Sequence, residues 1–596
     1  MSGKQSTCGR RKAGIWRAAP SCESSADQPT RRGVGHLNNI VSVLSARSSS
    51  EDLAYVFLSD GTPDTETRWT FADTAANSSA YAAHLSERGI GAGDRVVLAL
   101  NPGLDYIAGL YGLMELGAIP VPCFPPLRPK DSDRFHAIAR NCSPRAIVID
   151  AAYHQQISEI RDRLRLDRLS PHVVYPEDVA PTSTATPRAT ISPTDIALIQ
   201  YTSGSTGSPK GVCLTHDNLV SNCQALSRSM DDDPSRVGLS WLPPYHDMGL
   251  LGTIILSMYQ GWPLVLMSPM HFVQQPRRWL AAISEYGVTT TVGPNFSLEL
   301  CVDALGEDET DDLELSTIRE LYCGAEQVSA GTLARFEQTF AALGFDGRAM
   351  IPCYGLAEAT LFVSGKYAGS TYRTMRIRAA DGQDRTVVSC GHVDSEHAVR
   401  IVDPDNLVNV DDGCVGEIWI SGRNVAAGYH NHPELTAETF HAPLSGDDKH
   451  YLRTGDLGFI NSGELFVTGR IKDLVIVGGR NIYPQDVEMP AVDADPDVSA
   501  AVAFSIPGES SEQLCVVAEV RRASISAAMY SRIDEAIRSS VTAEFGISPR
   551  ICLCPKRTIP TTTSGKVRRQ ETKRLLLANV LPTLQPEPDT MQGAGA

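Results

Sequence analysis

Between residues 199 and 216 the chain reads IQYTSGSTGSPKGVCLTH: a strand-like run, a Gly/Ser/Thr turn with one lysine, and a second strand-like run. Glycines let backbone N–H groups turn inward, hydroxyls add donors, and the lysine adds a cation. Thr202, Ser203, Gly204, Ser205, Thr206, Gly207 and Lys210 therefore form a set able to wrap the oxygens of a polyphosphate. A Walker A loop is excluded, because it needs Gly-Lys-Ser/Thr running straight into a helix, whereas here Pro209 precedes the lysine and a strand follows. A plain hairpin explains the glycines but leaves so many hydroxyls beside a lysine unexplained.

Further along, acids and aromatics recur in short glycine-punctuated segments. They are Cys323-Gly324-Ala325-Glu326, Tyr354-Gly355-Leu356-Ala357-Glu358, Tyr451-Leu452-Arg453-Thr454-Gly455-Asp456, Gly469-Arg470-Ile471-Lys472-Asp473 and Thr563-Ser564-Gly565-Lys566. Taken singly, Glu358 or Asp456 would be an ordinary solvated acid. Taken in order over residues 40–575, together with TSGSTGSPKG, the segments resemble the adenylate-forming superfamily of acyl- and aryl-CoA ligases, peptide-synthetase adenylation domains, luciferases and acyl-AMP ligases.

That resemblance implies a role for each segment. ATP would lie with its phosphates on the 202–210 loop and its adenine against Gly324, Ala325, Glu326, Tyr354 and Gly355. Asp456 would take the ribose hydroxyls, with Arg470 near them. Glu358 would hold Mg²⁺, Asp473 would be the pivot of a mobile small domain, and Lys566 would be that domain's catalytic lysine. The physics agrees: a carboxylic acid attacking the α-phosphate needs cations where negative charge accumulates, and a carboxylate is a natural acceptor for two vicinal hydroxyls.

Within the superfamily, WLPPYHDMGLLGTI (241–254), GPNFSLELC (293–301), CYGLAEATLFVSG (353–365), RNIYPQDVE (480–488) and TTTSGKVRR (561–569) resemble the fatty-acyl-AMP ligases. Members of that group make acyl-adenylates from fatty acids and load them on the phosphopantetheine of an acyl carrier protein, or of a carrier domain in a polyketide or peptide synthase. No Asp-Ser-Leu carrier motif occurs in the chain, so this partner would act in trans. Residues 366–388 stand where the group carries an insertion that limits the domain motion needed for CoA chemistry; a solvent-exposed hairpin without a role is the alternative. By the same resemblance His246 lines the junction of ATP and acyl sites and places the carboxylate. Met248, Leu250, Leu251 and Phe296 could wall an acyl tunnel or simply be core. The rival functions are a fatty-acyl-CoA ligase, an amino-acid adenylation domain, and a catalytically inactive binding or regulatory homologue. The presence of Lys210, Glu358, Asp456 and Lys566 together argues against the last.

The elements that must position these groups alternate strand and helix. DRVVLAL (94–100), AIPVPC (118–123) and PRAIVID (144–150) read as buried parallel strands, with helices at 103–117 and 132–141 between them. After about residue 470 come two apolar strands around a Gly/Ser turn, a long helix and the strand ICLCP, the texture of a small α+β domain. The expected architecture is α/β: a disordered tail at 1–35, a large ligase domain at 36–470, a small mobile α+β lid at 471–580, and a disordered tail at 581–596.

Composition bounds the rest. The 596 residues are 42% hydrophobic and 21% charged, ordinary globular values that exclude disorder for the bulk. A net charge of −17 disfavours nucleic acid and anionic membrane as general partners. One stretch runs against it: residues 550–574 hold eight basic residues against Glu571 alone, either a docking patch for an acidic carrier or a merely solvated face. The longest uncharged stretch, 248–276, is broken at Gln260, Gly261 and Pro263, so a buried helix and a strand at 263–267 are expected rather than a membrane span. The 14 cysteines lack metal or redox spacing and fit a reduced, cytoplasmic protein.

Overall fold

The computed structural model describes residues 37–127, 129–180, 189–202, 209–304, 313–378, 384–477, 480–507, 512–545, 547–562 and 567–585. The expected N-terminal tail, the phosphate-loop residues 203–208 and the segment 563–566 lie outside them. The first βαβ units form as the hydrophobic runs dictate. Arg95–Ala99 pairs in parallel with Ile119–Pro122 on one side and Ala146–Ile149 on the other, with His172–Val174 beyond. Val96, Val97 and Leu98 are all buried, because helices cover both faces, which is why the run is apolar without alternation.

Next, β1 (Ile196–Thr202) and β2 (Lys210–Thr215) pair as an antiparallel hairpin that sets Thr202 opposite Lys210. Helix α1 (His216–Ser229) follows directly. Its start is fixed by a reciprocal cap: Asn218 N donates to Thr215 Oγ1, and Thr215 N donates to Asn218 Oδ1.

The central sheet holds β3 (Gly238–Ser240), β4 (Leu264–Met267), β5 (Thr290–Val292), β6 (Glu320–Cys323) and β7 (Met350–Gly355). They run parallel in the spatial order β7-β6-β5-β3-β4. Their carboxyl ends therefore share one edge, the side on which open α/β sheets bind ligands. The uncharged stretch expected as one buried helix is helical but irregular. A short turn at Asp247–Gly249 leads into a π-helical segment, Leu250–Ile255, and then Leu256–Gln260. Thr253 Oγ1 donates to Gly249 O inside it, a side-chain competitor for a backbone acceptor. No helix among the described residues is long and apolar enough to cross a membrane.

Residues 366–388 hold β8 (Thr374–Arg378), antiparallel to β9 (Asp384–Val393). β9 continues onto the ribbon β10 (Asp447–Asn461) and β11 (Glu464–Arg470). Met375 and Ile377 pack with Val387 against Phe459 and Phe466, whose rings stack at 4.9 Å, and Arg373 reaches Glu464 at 2.9 Å. The hairpin is thus fastened to the ribbon that carries Asp456 and Arg470.

One hydrophobic core runs from Ile40 to Leu465, and separate cores begin at Val475. In the small sheet, β12 (Val498–Pro507) and β13 (Glu512–Val520) are antiparallel, and β14 (Arg550–Pro555) is parallel to β13. Alternation along β13 feeds both faces: Leu514, Val516 and Ala518 join the core under the long helix Ala527–Phe545, while Cys515 and Val517 join the other. A further helix that the sequence reading did not anticipate, Arg569–Leu577, covers that second face through Leu575 and Leu576. The chain stays attached past the boundary expected at 580: Leu581 is buried and Leu584 N donates to Leu553 O.

Candidate active site

The carboxyl edge of the central sheet opens into a cavity of about 850 Å³, closed on one side by the ribbon and by the small domain. Thr202, Lys210, His246, Ala325, Glu326, Tyr354, Gly355, Glu358, Asp456, Arg470 and Asp473 all line it. Gly324 sits just behind, where a Cβ would come within 2.8 Å of Cys353 Sγ. Ser203, Gly204, Ser205, Thr206, Gly207 and Lys566 lie outside the described residues.

At one end of the cavity the backbone itself is shaped. Ala325 holds φ +70°, an unusual state for a residue with a side chain and one that neighbours must enforce. Asn295 does so on the adjoining segment, its Oδ1 accepting from Ser329 N and its Nδ2 donating to Gln327 O. At Gly355 a Cβ would lie 1.7 Å from Leu361 O, so only glycine allows the tight return that sets Glu358 at the cavity wall.

Register explains the next pair, since antiparallel β10 and β11 place Asp456 opposite Arg470. Arg470 Nε approaches Asp456 Oδ1 at 2.7 Å, and Tyr354 Oη donates to Oδ2 at 2.7 Å. A carboxylate offers about four acceptor positions, so two remain for a ligand. The Asp456 charge raises the Arg470 guanidinium, while burial first and Asp456 second push the Tyr354 phenol well up. Buried Glu417 braces the preceding turn, accepting from Arg453 at 2.9 Å and from Gly455 N at 3.1 Å.

Cations gather at the other end. Lys210 Nζ lies 5.2 Å over the Tyr429 ring, and Tyr429 Oη donates to Glu358 Oε1 at 2.8 Å. Burial lowers the Lys210 ammonium and Lys472 lowers it further, against Glu358 and Glu438. Lys210 and Lys472 thus line the cavity together with Glu358, a set suited to a polyanion. Glu358 also fits a magnesium ion, which takes one or two carboxylates and completes its shell with substrate phosphates and water. No cluster of three or more potential metal ligands exists among the described residues, so substrate oxygens would have to supply the rest. His246 is oriented by Asp247: Nδ1 and Oδ1 are 2.9 Å apart, and the same oxygen accepts from Met248 N.

From His246 an apolar arm runs back along the sheet between α1 and the irregular helix, walled by Leu226, Leu239, Met248, Leu256 and Leu264. Of the residues left undecided between wall and core, Met248 lines the cavity. Leu250 and Leu251 are packed in the core, and Phe296 meets Trp241 edge-on at 5.8 Å.

Within the small domain one guanidinium ties the segment after β11 to the helix Pro484–Asp493. Arg569 donates to Asp473 Oδ2 at 3.2 Å and to both oxygens of Glu488 at 2.8 and 3.0 Å, and Gln570 Nε2 donates to Lys472 O. Burial raises the Glu488 carboxyl, with Arg569 opposing. Thr561 and Val567, on either side of the Thr-Ser-Gly-Lys motif, form an antiparallel bridge, and Thr562 and Val567 both line the cavity. The sequence reading missed Lys472, Tyr429, Glu417 and Arg569. Lys472 and Arg569 stand inside segments it had singled out, whereas Tyr429 and Glu417 carry no local signal.

With this geometry established, comparisons with known proteins identify the neighbours. The family model described as AMP-binding enzyme matches residues 44–430. The medium-chain-fatty-acid–[acyl-carrier-protein] ligase JamA of Moorena producens is 35% identical, over 91% of this chain and 96% of its own. The long-chain-fatty-acid–AMP ligase FadD32 of Mycolicibacterium smegmatis is 34% identical, over 88% and 92%. The crystal structure of a fatty acyl-adenylate ligase from L. pneumophila, in complex with acyl adenylate and pyrophosphate, superposes with a TM-score of 0.71 at 35% identity, covering 92% of this chain and 97% of that one.

Proposed function

The chain belongs to the family of AMP-binding enzymes, and on that premise we propose that it is a fatty-acyl-AMP ligase, turning a fatty acid and ATP into acyl-adenylate and pyrophosphate and loading the acyl group on a carrier protein. The carrying observation is the convergence, in one cavity, of a polyphosphate-suited end (Lys210, Lys472, Glu358), a ribose-suited carboxylate (Asp456) and an apolar arm beginning at His246.

Asp456 accepts the two ribose hydroxyls on its free positions, held in aim by Arg470 and Tyr354. Lys210 and the 202–207 loop hold the departing phosphates, and His246, fixed by Asp247, places the fatty carboxylate in line with the α-phosphate. Magnesium, held by Glu358, would neutralise charge on the phosphate oxygens. Lys566, in a motif flanked by the cavity-lining residues Thr562 and Val567, adds a cation where charge grows between the acyl and phosphate oxygens, so it favours the transition state over the ground state. Residues 471–580 act as the lid that brings it there, pivoting at Asp473. The basic run 550–574 receives an acidic carrier protein, and the hairpin at 366–388 stiffens the ribbon leading to the pivot, which disfavours free CoA as acceptor.

The test is ATP–pyrophosphate exchange over a panel of fatty and amino acids, followed by transfer of labelled acyl group to CoA and to a holo-carrier protein. Exchange should require a fatty acid and transfer should favour the carrier. Better exchange with an amino acid, or acyl-CoA formed as fast as adenylate, overturns the assignment.

A further inference from the structure

The relatives are named for both medium and long chains, so kinship leaves the acid's length open, while the blind end of the apolar arm addresses it directly. At that end stand Leu226 and Met230 at the close of α1, Gly238 and Leu264 at the amino ends of β3 and β4, Thr290 at the amino end of β5, and Trp262. The Trp262 ring lies on the Gly238 backbone so closely that a Cβ there would come within 2.3 Å of Cζ3. The indole is 4% exposed, yet its chain neighbours Gln260, Gly261 and Pro263 are part-exposed, so the ring stands between the arm and the protein surface.

The ring is also held in place. Buried Arg47 donates to Met258 O at 2.9 Å and to Tyr259 O at 3.0 Å, satisfying carbonyls at the end of the helix Leu256–Gln260. Gly261 then turns the chain at φ +80° with the Arg47 guanidinium against its Cα, leaving Trp262 no room to follow the backbone outward. Nothing in the adenylation chemistry uses this tryptophan.

Resting on the fatty-acyl-AMP ligase reading, we propose that Trp262 is the chain-length stop of the acyl arm. The arm runs from His246, beyond the carboxyl end of β3, to Trp262 beside the amino ends of β3 and β4, so a tail that outruns it meets the indole. A longer tail must displace a buried indole whose support is an arginine-capped helix end.

The experiment is ATP–pyrophosphate exchange with saturated acids from C6 to C18 on the wild type, Trp262→Ala, Trp262→Leu and Met230→Phe, each checked for folding by thermal melt. The wild type should show an optimum chain length and fall at least tenfold in kcat/KM about four carbons beyond it. Either folded Trp262 variant should raise the C16-to-C10 ratio at least tenfold, chiefly through KM. Met230→Phe, which fills the same end from the opposite wall, should move the optimum down by about two carbons. A wild type with no fall beyond its optimum, an unchanged ratio in a folded Trp262 variant, or an unmoved optimum in Met230→Phe overturns the inference. Absence of exchange with every fatty acid would instead refute the function on which it rests.

Discussion

Asp456 offers the sharpest check on the nucleotide geometry, because its bonding can be counted. One oxygen faces Arg470 at 2.7 Å and the other accepts from Tyr354 Oη at 2.7 Å, leaving one free position on each for the 2′- and 3′-hydroxyls. A hydrogen bond to a charged group contributes about 1.5–3 kcal/mol net. Replacing ATP with 2′-deoxy-ATP removes one such bond, so the wild type should lose about 10- to 150-fold in kcat/KM. Asp456→Ala removes the acceptor, so its kcat/KM with ATP should fall at least 100-fold, and its preference for ATP over the deoxynucleotide should shrink to within about twofold. Tyr354→Phe supplies the control. It deletes a bond to Asp456 without touching the ribose-facing positions, so the deoxy penalty should persist while overall binding weakens. Asp456→Ala also strands the buried Tyr354 hydroxyl, which should lower stability by about 1–3 kcal/mol and be visible in a thermal melt. The measurement is pyrophosphate release at varied nucleotide. A folded Asp456→Ala enzyme that still discriminates more than about fivefold would show that the carboxylate does not hold the ribose.

Lys566→Ala should slow acyl-AMP synthesis by about 10²–10³, the usual loss of one preorganised transition-state donor, while transfer from supplied acyl-AMP to holo-carrier protein survives; equal loss in both half-reactions would disprove its confinement to adenylation. Removing the packing of Met375 and Ile377 on Phe459 and Phe466, by a double alanine substitution, should raise acyl-CoA formation relative to acyl-AMP formation, and an unchanged ratio would release the hairpin from any part in acceptor choice. His216 is buried at the start of α1, and desolvation holds its imidazole down to about 4. Between pH 6.5 and 4 the unfolded chain binds the proton and the folded one does not, so stability falls as pH falls through that window, by at most about 3 kcal/mol. Denaturant melts of His216→Gln should show a shallower pH slope there than the wild type, and parallel slopes would contradict the neutral-histidine reading.

How much of this was legible in the sequence follows from where the information sits. The parallel strands at 95–99 and 146–149, and the hairpin from 196 to 215, announce themselves because buried strands and glycine-rich turns leave local marks. The helix Arg569–Leu577 does not, since of its apolar residues only Leu575 and Leu576 pack on the small core, and its buried side chain, Thr572, is polar. The nucleotide-facing residues were legible as short motifs whose members are close in sequence. Their partners were not: Tyr429 aims Glu358 from 71 positions away, and Glu417 steadies the Asp456 turn from across an antiparallel pair. A chemical group can be read from its own neighbourhood, but the groups that hold it in aim are chosen by register and topology.

The same limit applies to the lid. The sequence placed Asp473 as pivot and Lys566 as catalytic cation in two segments almost a hundred residues apart, with nothing to join them. The structure joins them through Arg569, three residues beyond the lysine, whose guanidinium bonds the pivot carboxylate and Glu488 together. Burial raises the Glu488 carboxyl, so releasing Arg569 would leave a buried acid without its counter-charge. On the proposed reading, in which Asp473 is the pivot and Lys566 the catalytic cation, Arg569 is the side chain through which the two segments meet, and Arg569→Ala should therefore alter adenylation and acyl transfer unequally.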